Sequence, residues 1–257
     1  MKEEFSKSYV SLEQNHWWFR ARRVILRNLM NRHIAWGRRP DILEIGVGPG
    51  ENLYTLYPKD ARVIGVEPDA ENAAQADARG PYNVYCGTIE ALPEPVLSRQ
   101  YDAVCLFDVL EHIQDDVAAL GVIHGLLKPG GFLVLTVPCY QWMWGLQDDV
   151  NLHYRRYTRS ELKTKLLKQG FQIKRATYFN SLLFPVIALF RLLAKFKKNK
   201  RKAESDFEVS IPFVDSIMYG LFRLESPLLR VMNFPFGVSC AVIATSDGKS
   251  DLITRSS

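Results

Sequence analysis

The stretch Asp41-Ile-Leu-Glu-Ile-Gly-Val-Gly-Pro-Gly50 decides how this chain is read. Ile42, Leu43 and Ile45 form a short apolar run of the kind buried in a parallel strand, and the run breaks into glycines at 46, 48 and 50. A buried strand that feeds a glycine turn brings bare backbone against a nucleotide at the edge of an α/β sheet. The spacing is not that of the dinucleotide motif, whose third glycine would fall at position 51, where Glu51 stands. A tight strand-to-helix turn would use the same glycines, so the residues that follow carry the assignment.

A second apolar strand, Arg62-Val-Ile-Gly-Val66, ends in Glu67. An acid at the tip of strand two, about 20 residues past the glycines, is placed to accept hydrogen bonds from both hydroxyls of a ribose. A carboxylate suits this because it is acceptor-only with several lone pairs. Asp69, in the turn Glu67-Pro-Asp-Ala70, reads as a solvated turn residue. A third element, Val84-Tyr-Cys86, leads into Gly87-Thr-Ile-Glu-Ala-Leu-Pro93. The fourth strand, Tyr101 to Phe107, is followed by Asp108-Val-Leu-Glu-His-Ile113, and Leu126-Leu-Lys-Pro-Gly-Gly131 opens a fifth strand over Phe132 to Val137.

The order and spacing of these motifs across residues 41 to 138 resemble the core of class I S-adenosylmethionine (SAM) dependent methyltransferases. The resemblance implies SAM as cofactor, with the glycine turn of Gly46, Gly48 and Gly50 on its methionine part and Glu67 on its ribose. It gives Glu44 one of two roles, ordering the loop or meeting the SAM ammonium. Thr88 holds a position that is usually acidic and usually reaches adenine, and the Ile89 backbone amide can serve there. Asp108, Trp18 and Arg22 complete the expected cofactor set. The implied fold is a Rossmann-like seven-stranded, mostly parallel sheet with an antiparallel last strand. Helices lie on both faces, with an N-terminal helical lid and a helical insertion before the last strand.

The 257 residues suffice for one elaborated domain. The expected bounds are 1–246: a lid over 1–38, a SAM-binding core over 39–178, an insertion over 179–238 and a last strand over 239–246. A polar tail, 247–257, reads as disordered. A hydrophobic content of 47% with 24% charged residues is that of an ordinary globular chain, not a fibrous or disordered one. Cys86, Cys105, Cys139 and Cys240 are scattered without metal-like spacing, so no metal site is expected and buried thiols are the default. The charged start, Met1-Lys-Glu-Glu-Phe, is no secretory signal, and a cytoplasmic location is the expectation.

Two aromatic segments flank the core. Glu13-Gln-Asn-His-Trp-Trp-Phe-Arg-Ala-Arg-Arg23 resembles the N-terminal segment of a methyltransferase subgroup met among cell-surface glycan enzymes, which implies a lid. Trp17, Trp18 and Phe19 can wall the site and meet the sulfonium by cation–π attraction, about 0.5–2 kcal/mol. Arg20, Arg22 and Arg23 can hold an anionic substrate group, or stand as solvated residues of a packed helix. The second segment, Pro138 to Tyr157, follows strand five on the ligand-binding edge. Four of the five tryptophans lie in these two segments, so they are expected to face each other across the acceptor pocket. His153 is the first candidate for a general base, since an unperturbed imidazole titrates near pH 6.5. His112 is the second. Each has a structural alternative: a hydrogen bond that holds the loop for His153, a helix cap for His112.

The helix Tyr157 to Gly170, capped by Thr158 with Glu161, precedes a strand over 171–178, and Ser239 to Ala244 is the last strand. The roughly 60 residues between those strands far exceed the usual connection. From Pro185 a helix would put Val186, Leu189, Leu193 and Phe196 on one side. Arg191, Lys195, Lys198 and Lys202 fall on the other, and Lys197, Lys200 and Arg201 thicken the basic end. An apolar stripe beside a basic face is the pattern of a helix in a membrane interface, too short to span one. Its alternative is a stripe that covers the sheet or a dimer partner. A second apolar helix, near Phe213 to Met232, is expected beside the first.

These features point to methyl transfer from SAM to a small or lipid-linked acceptor, at a peripheral site on the inner face of the cytoplasmic membrane. No nucleic-acid partner is expected, because the basic run adjoins aliphatic rather than base-stacking groups. The chain would act as monomer or homodimer. A soluble small-molecule methyltransferase and a non-catalytic SAM-binding regulator are the alternatives, and release of S-adenosylhomocysteine separates turnover from binding.

Overall fold

A computed structural model describes residues 11–196 and 212–246. Its centre is a seven-stranded sheet. β1 (Asp41–Ile45), β2 (Arg62–Glu67), β3 (Asn83–Cys86), β4 (Tyr101–Phe107) and β5 (Leu127–Pro138) run parallel. β6 (Phe171–Phe179) forms one edge, and β7 (Ser239–Ser246) lies between β5 and β6, antiparallel to both. The order is β3-β2-β1-β4-β5-β7-β6. The chain leaves β1 toward β2 on one side and returns to pair β4 on the other. The strand order therefore reverses at β1 and β4, and a crevice opens there beyond their carboxyl ends.

Apolar runs without alternation become buried strands because helices and loops cover the sheet. Ile42, Leu43, Val104, Cys105, Leu106, Leu133 and Leu135 are all fully buried. The covering helices of the parallel half are α1 (Trp17–His33), α2 (Glu51–Thr55), α3 (Ala70–Ala78), α4 (Glu94–Leu97) and α5 (Asp116–Leu126). α6 (Leu146–Val150) and α7 (Arg159–Lys168) follow β5. In α1, Ala21, Ile25 and Leu29 recur every fourth residue on the inward face. A preceding helical turn over 11–15 ends at His16, whose Nδ1 accepts from the Trp18 N–H at 3.2 Å and caps α1. Asp69 is also a cap. Its carboxylate accepts from Glu71 and Asn72 at the start of α3, where a solvated turn residue was expected. α7 carries the expected reciprocal capping by Thr158 and Glu161, worth about 1 kcal/mol.

The insertion between β6 and β7 contains α8 (Phe184–Phe196) and α9 (Pro212–Leu228). The two do not lie side by side as expected. α9 packs along α1, because Phe222, Glu225 and Ser226 form one buried face that Leu229, just past the helix end, continues. Trp17 meets Phe222 edge-on at 6.2 Å, and Asn28 donates to Ser226 at 2.6 Å. Burying one phenylalanine in this way is worth about 1.5–3 kcal/mol. The Glu225 carboxylate accepts from the Ser181 and Leu182 amides at 2.6 and 2.8 Å and ties α9 to the chain entering α8. α8 itself rests on a 3-10 turn at Gln141–Met143.

Candidate active site

Three glycines shape the crevice. Gly46, Gly48 and Gly50 have φ of +74°, +54° and +86°, a region that only glycine enters freely. A Cβ at Gly46 would in addition run into the Val109 side chain. The Gly48 amide donates to Glu67 Oε2 at 2.8 Å and the Asp69 amide to Oε1 at 3.2 Å, so the acid at the tip of β2 stands against the glycine loop. Burial raises the Glu67 carboxyl above its ordinary range, with these backbone donors opposing the rise. The Gly87 amide, just past β3, donates to the Glu67 carbonyl, which brings the Thr88–Ile89 segment beside the same acid. Thr88 is exposed there, while the Ile89 side chain is buried.

Glu44 lies beneath this loop. It is fully buried, and its two oxygens accept from Asn52 Nδ2 at 2.9 Å and Tyr57 Oη at 2.6 Å. Of its two expected roles this geometry is the loop-ordering one, since the strand points the side chain into the core. Burial pushes its carboxyl up to about 7, against the two donors. The folded pKa exceeds the ordinary 4.5, so the stability this group contributes is full below 4.5 and lost as pH rises toward 7. Thermal unfolding should therefore show Glu44→Gln gaining on wild type between pH 4.5 and 7, and equal pH slopes would contradict the assignment.

α1 closes the crevice from above. Arg22 Nη1 pairs with Asp108 Oδ2 at 2.9 Å, and the guanidinium carbon lies 4.9 Å from the centre of the Trp18 ring. Asp108 has φ of +57°, and its Oδ1 accepts from Thr136 at 3.1 Å. Arg20, Arg22 and Arg23, read from the sequence as able to hold an anionic substrate group or as solvated residues of a packed helix, have these partners in the structure. Arg22 is taken by Asp108. Arg23 is buried and donates to the Glu13 carbonyl at 2.8 Å, and Arg20 lies over the Tyr219 ring at 4.8 Å. The tryptophan segments also meet differently from the expectation. Trp17 packs on α9 and Trp142 on Phe184 of α8, so the insertion joins the two segments.

The loop after β5 is held by one buried carboxylate. Asp148 accepts from Arg156 Nε and Nη2 at 2.7 and 2.9 Å and from the Gly145 amide at 2.8 Å, and it bonds His153 Nδ1 at 2.9 Å. Burial alone would raise its carboxyl, but the bonds from His153 and Arg156 outweigh that and hold it well below the usual range. The loop is pinned to the end of β4. The Tyr154 amide donates to the Glu111 carbonyl at 2.8 Å, and Arg155, Tyr157 and Lys165 all converge on Asp116. His153 thereby stands edge-on to His112, ring centroids 4.5 Å apart. Burial and the neighbouring His153 push His112 down to about 4, so it is neutral near pH 7 although part of its ring reaches solvent. The structure thus brings both base candidates together. Asp148, Arg156, Asn52 and Tyr57 were not expected as site residues.

A surface depression elsewhere is lined by Asp41, Lys59, Arg62, Asn83 and Tyr101 at the amino-terminal end of the strands. It holds neither the glycine loop nor the histidines, so the carboxyl edge remains the candidate site.

Comparison with known proteins agrees with this placement. The family described as "Methyltransferase domain" matches residues 16–176. A probable SAM-dependent methyltransferase of Mycolicibacterium smegmatis is 32% identical over 63% of this chain and 62% of its own length. A ubiquinone biosynthesis O-methyltransferase of Bradyrhizobium sp. is 33% identical over 48% of each chain. This chain therefore spans about half to three fifths of the length of these relatives. Among solved structures, a SAM-dependent methyltransferase of Archaeoglobus fulgidus shares the fold, with a TM-score of 0.55 at 18% identity over 93% of this chain and 99% of that one. The chain belongs to the SAM-dependent methyltransferase family. The residues at the carboxyl edge fit that cofactor: glycine backbone for its amino-acid end and the Glu67 carboxylate for its ribose.

Proposed function

We propose that this protein transfers the methyl group of SAM to an oxygen of an amphiphilic acceptor at an anionic membrane surface on the cytoplasmic side. The observation that carries methyl transfer is the glycine loop backed by Glu67, with Gly46 against Val109 of the segment that leads into the His112–His153 pair. Gly46, Gly48 and Gly50 present backbone to SAM, Glu67 accepts from its ribose, and Thr88 with the Ile89 amide meets its adenine. Arg22, held by Asp108, keeps Trp18 over the site. When bound, SAM supplies an electrophilic methyl group. The chain's part is to orient the acceptor, exclude water and receive a proton. Asp148 fixes His153 through Nδ1, which leaves Nε2 to take the proton of the acceptor hydroxyl.

Oxygen is favoured over nitrogen because an imidazole held in place to take a proton is of use to a hydroxyl and of less use to a free amine. The quinone-pathway name of the Bradyrhizobium relative points the same way. Release of S-adenosylhomocysteine with hydroxylated lipids as acceptors tests this. Turnover with amines and none with hydroxylated lipids would overturn it.

The membrane part rests on the outer face of the insertion. Val186, Leu189, Phe190 and Leu193 of α8 are exposed, as are Phe213 and Ile217 of α9. Such a face does not cover the sheet, and no helix among the described residues is long and apolar enough to cross a bilayer. Arg191 departs from the expected basic face, since its guanidinium lies against Gly145. The remaining basic cluster, Lys197 to Lys202, falls outside the described residues. Each cation near an anionic leaflet adds about 1 kcal/mol, screened over about 8 Å at physiological salt. Co-sedimentation with anionic vesicles should weaken as salt rises. Charge reversal of Lys195, Lys197, Lys198 and Lys200 to glutamate should release the protein while SAM binding persists. A wild-type protein that stays in the supernatant at low salt would make the stripe a protein interface instead.

A further inference from the structure

We propose that Glu111, His112 and His153 hold a divalent transition cation of the zinc or manganese kind at the point where the acceptor oxygen arrives. This rests on the reading of His112 and His153 as the acceptor-activating pair. One ligand atom from each of the three side chains lies within 4.8 Å of the other two. A zinc ion with ligands at 2.0–2.1 Å would space them at about 3.3 Å, so the set must draw in by about 1.5 Å. The exposed His112 ring, which meets the Asn151 backbone, would have to make part of that movement.

Glu111 is the strongest pointer. Its side chain is fully buried, and among the described residues neither carboxylate oxygen has a hydrogen-bond partner on another residue. A buried carboxylate without a donor costs several kcal/mol, and a fold that needed only packing there would place an apolar residue. Asp108, itself an acid, adds to the cost, while Arg22 and Arg156 relieve it from a distance. A cation in contact would satisfy both oxygens. His153 is built as a metal ligand in a second respect. Its Nδ1 is tied to the buried Asp148, and a carboxylate on the far nitrogen is what orients a ligating imidazole. Asp148 is itself fixed by Arg156 and Gly145, so the support does not move when Nε2 is loaded.

Two imidazole nitrogens and one carboxylate select zinc, manganese, iron or cobalt over magnesium and calcium, which prefer all-oxygen shells. Three protein ligands also leave a coordination position open. An acceptor hydroxyl in that position becomes more acidic and gives its proton to solvent, so the cation takes over the task otherwise given to the free imidazole. The earlier expectation of no metal site rested on cysteine spacing, which bears on thiolate sites and not on this set.

Co2+ alone, added to chelator-treated protein, is the probe, followed by its visible d–d absorption and by equilibrium dialysis. Wild type should take up one equivalent, and Glu111→Gln and His153→Ala should bind at least 100-fold more weakly. Glu111→Gln replaces an unpartnered buried acid by a group of the same shape, so it should melt close to wild type yet show no Co2+-induced rise in Tm, a pattern that misfolding cannot produce. SAM calorimetry on both variants confirms the fold. Absence of saturable Co2+ uptake by wild type, or equal uptake by both variants, overturns the cation. If Co2+ fails to bind while His153→Ala still abolishes turnover, the acceptor reading stands without it. If Co2+ binds and His153→Ala keeps full turnover, the link between cation and acceptor is overturned.

Discussion

His153→Ala is expected to lower turnover by about 10²–10⁴-fold, the usual cost of losing a group that handles the acceptor proton, while SAM affinity stays within a few-fold of wild type. The separation follows from position. His153 sits on the loop after β5, bonded to Asp148 and edge-on to His112, whereas the glycine loop and Glu67 belong to β1 and β2. Calorimetry with SAM and turnover with one acceptor, measured side by side, decide the point. Parallel losses in both would make His153 a structural residue that holds the loop through Asp148. Full turnover would remove it from the site.

Glu67→Ala should weaken SAM binding at least tenfold, about 1.4 kcal/mol. Two effects add. The variant lacks the carboxylate assigned to the ribose, and it frees the Gly48 amide, which now donates to Glu67 Oε2 at 2.8 Å and fixes the loop. Gly46→Ala should lose as much by another route, since alanine resists a φ of +74° and its Cβ would displace Val109. Glu67→Gln separates the two roles of the acid. It keeps an acceptor for Gly48 and loses one for ribose, so intermediate affinity is expected. Unchanged affinity in a folded Glu67→Ala protein would overturn the ribose assignment.

The fold was legible because each signal was local. The apolar runs at 42–45, 101–107 and 239–244 became strands, and the glycines at 46, 48 and 50 took positive φ as a strand-to-helix turn demands. Thr158 with Glu161 marked a helix start that reads directly from side-chain chemistry. What stayed hidden depends on contacts between residues far apart in sequence. Nothing in Arg22 and Asp108 announces that they pair across 86 positions, and that pairing turned an expected open cation into a buried one. The partner of α9 was equally hidden, because an apolar helix face states that it will pack and not on what. Asp148, His153 and Arg156 lay within one quoted segment, yet their spacing has no helical or strand period, so only the folded loop shows one carboxylate serving both. Glu111 read as part of a motif after strand four, and only its burial without a partner singles it out.

Transfer of label from methyl-labelled SAM into a lipid extract of a strain lacking this protein tests the central claim most directly, because that extract should have accumulated the unmethylated acceptor. Wild-type protein should carry label into the organic phase as an ether that survives mild acid and base, and His153→Ala should not. A wild-type protein that binds SAM yet labels neither the lipid nor the aqueous fraction would contradict the account and leave a SAM-binding protein without turnover.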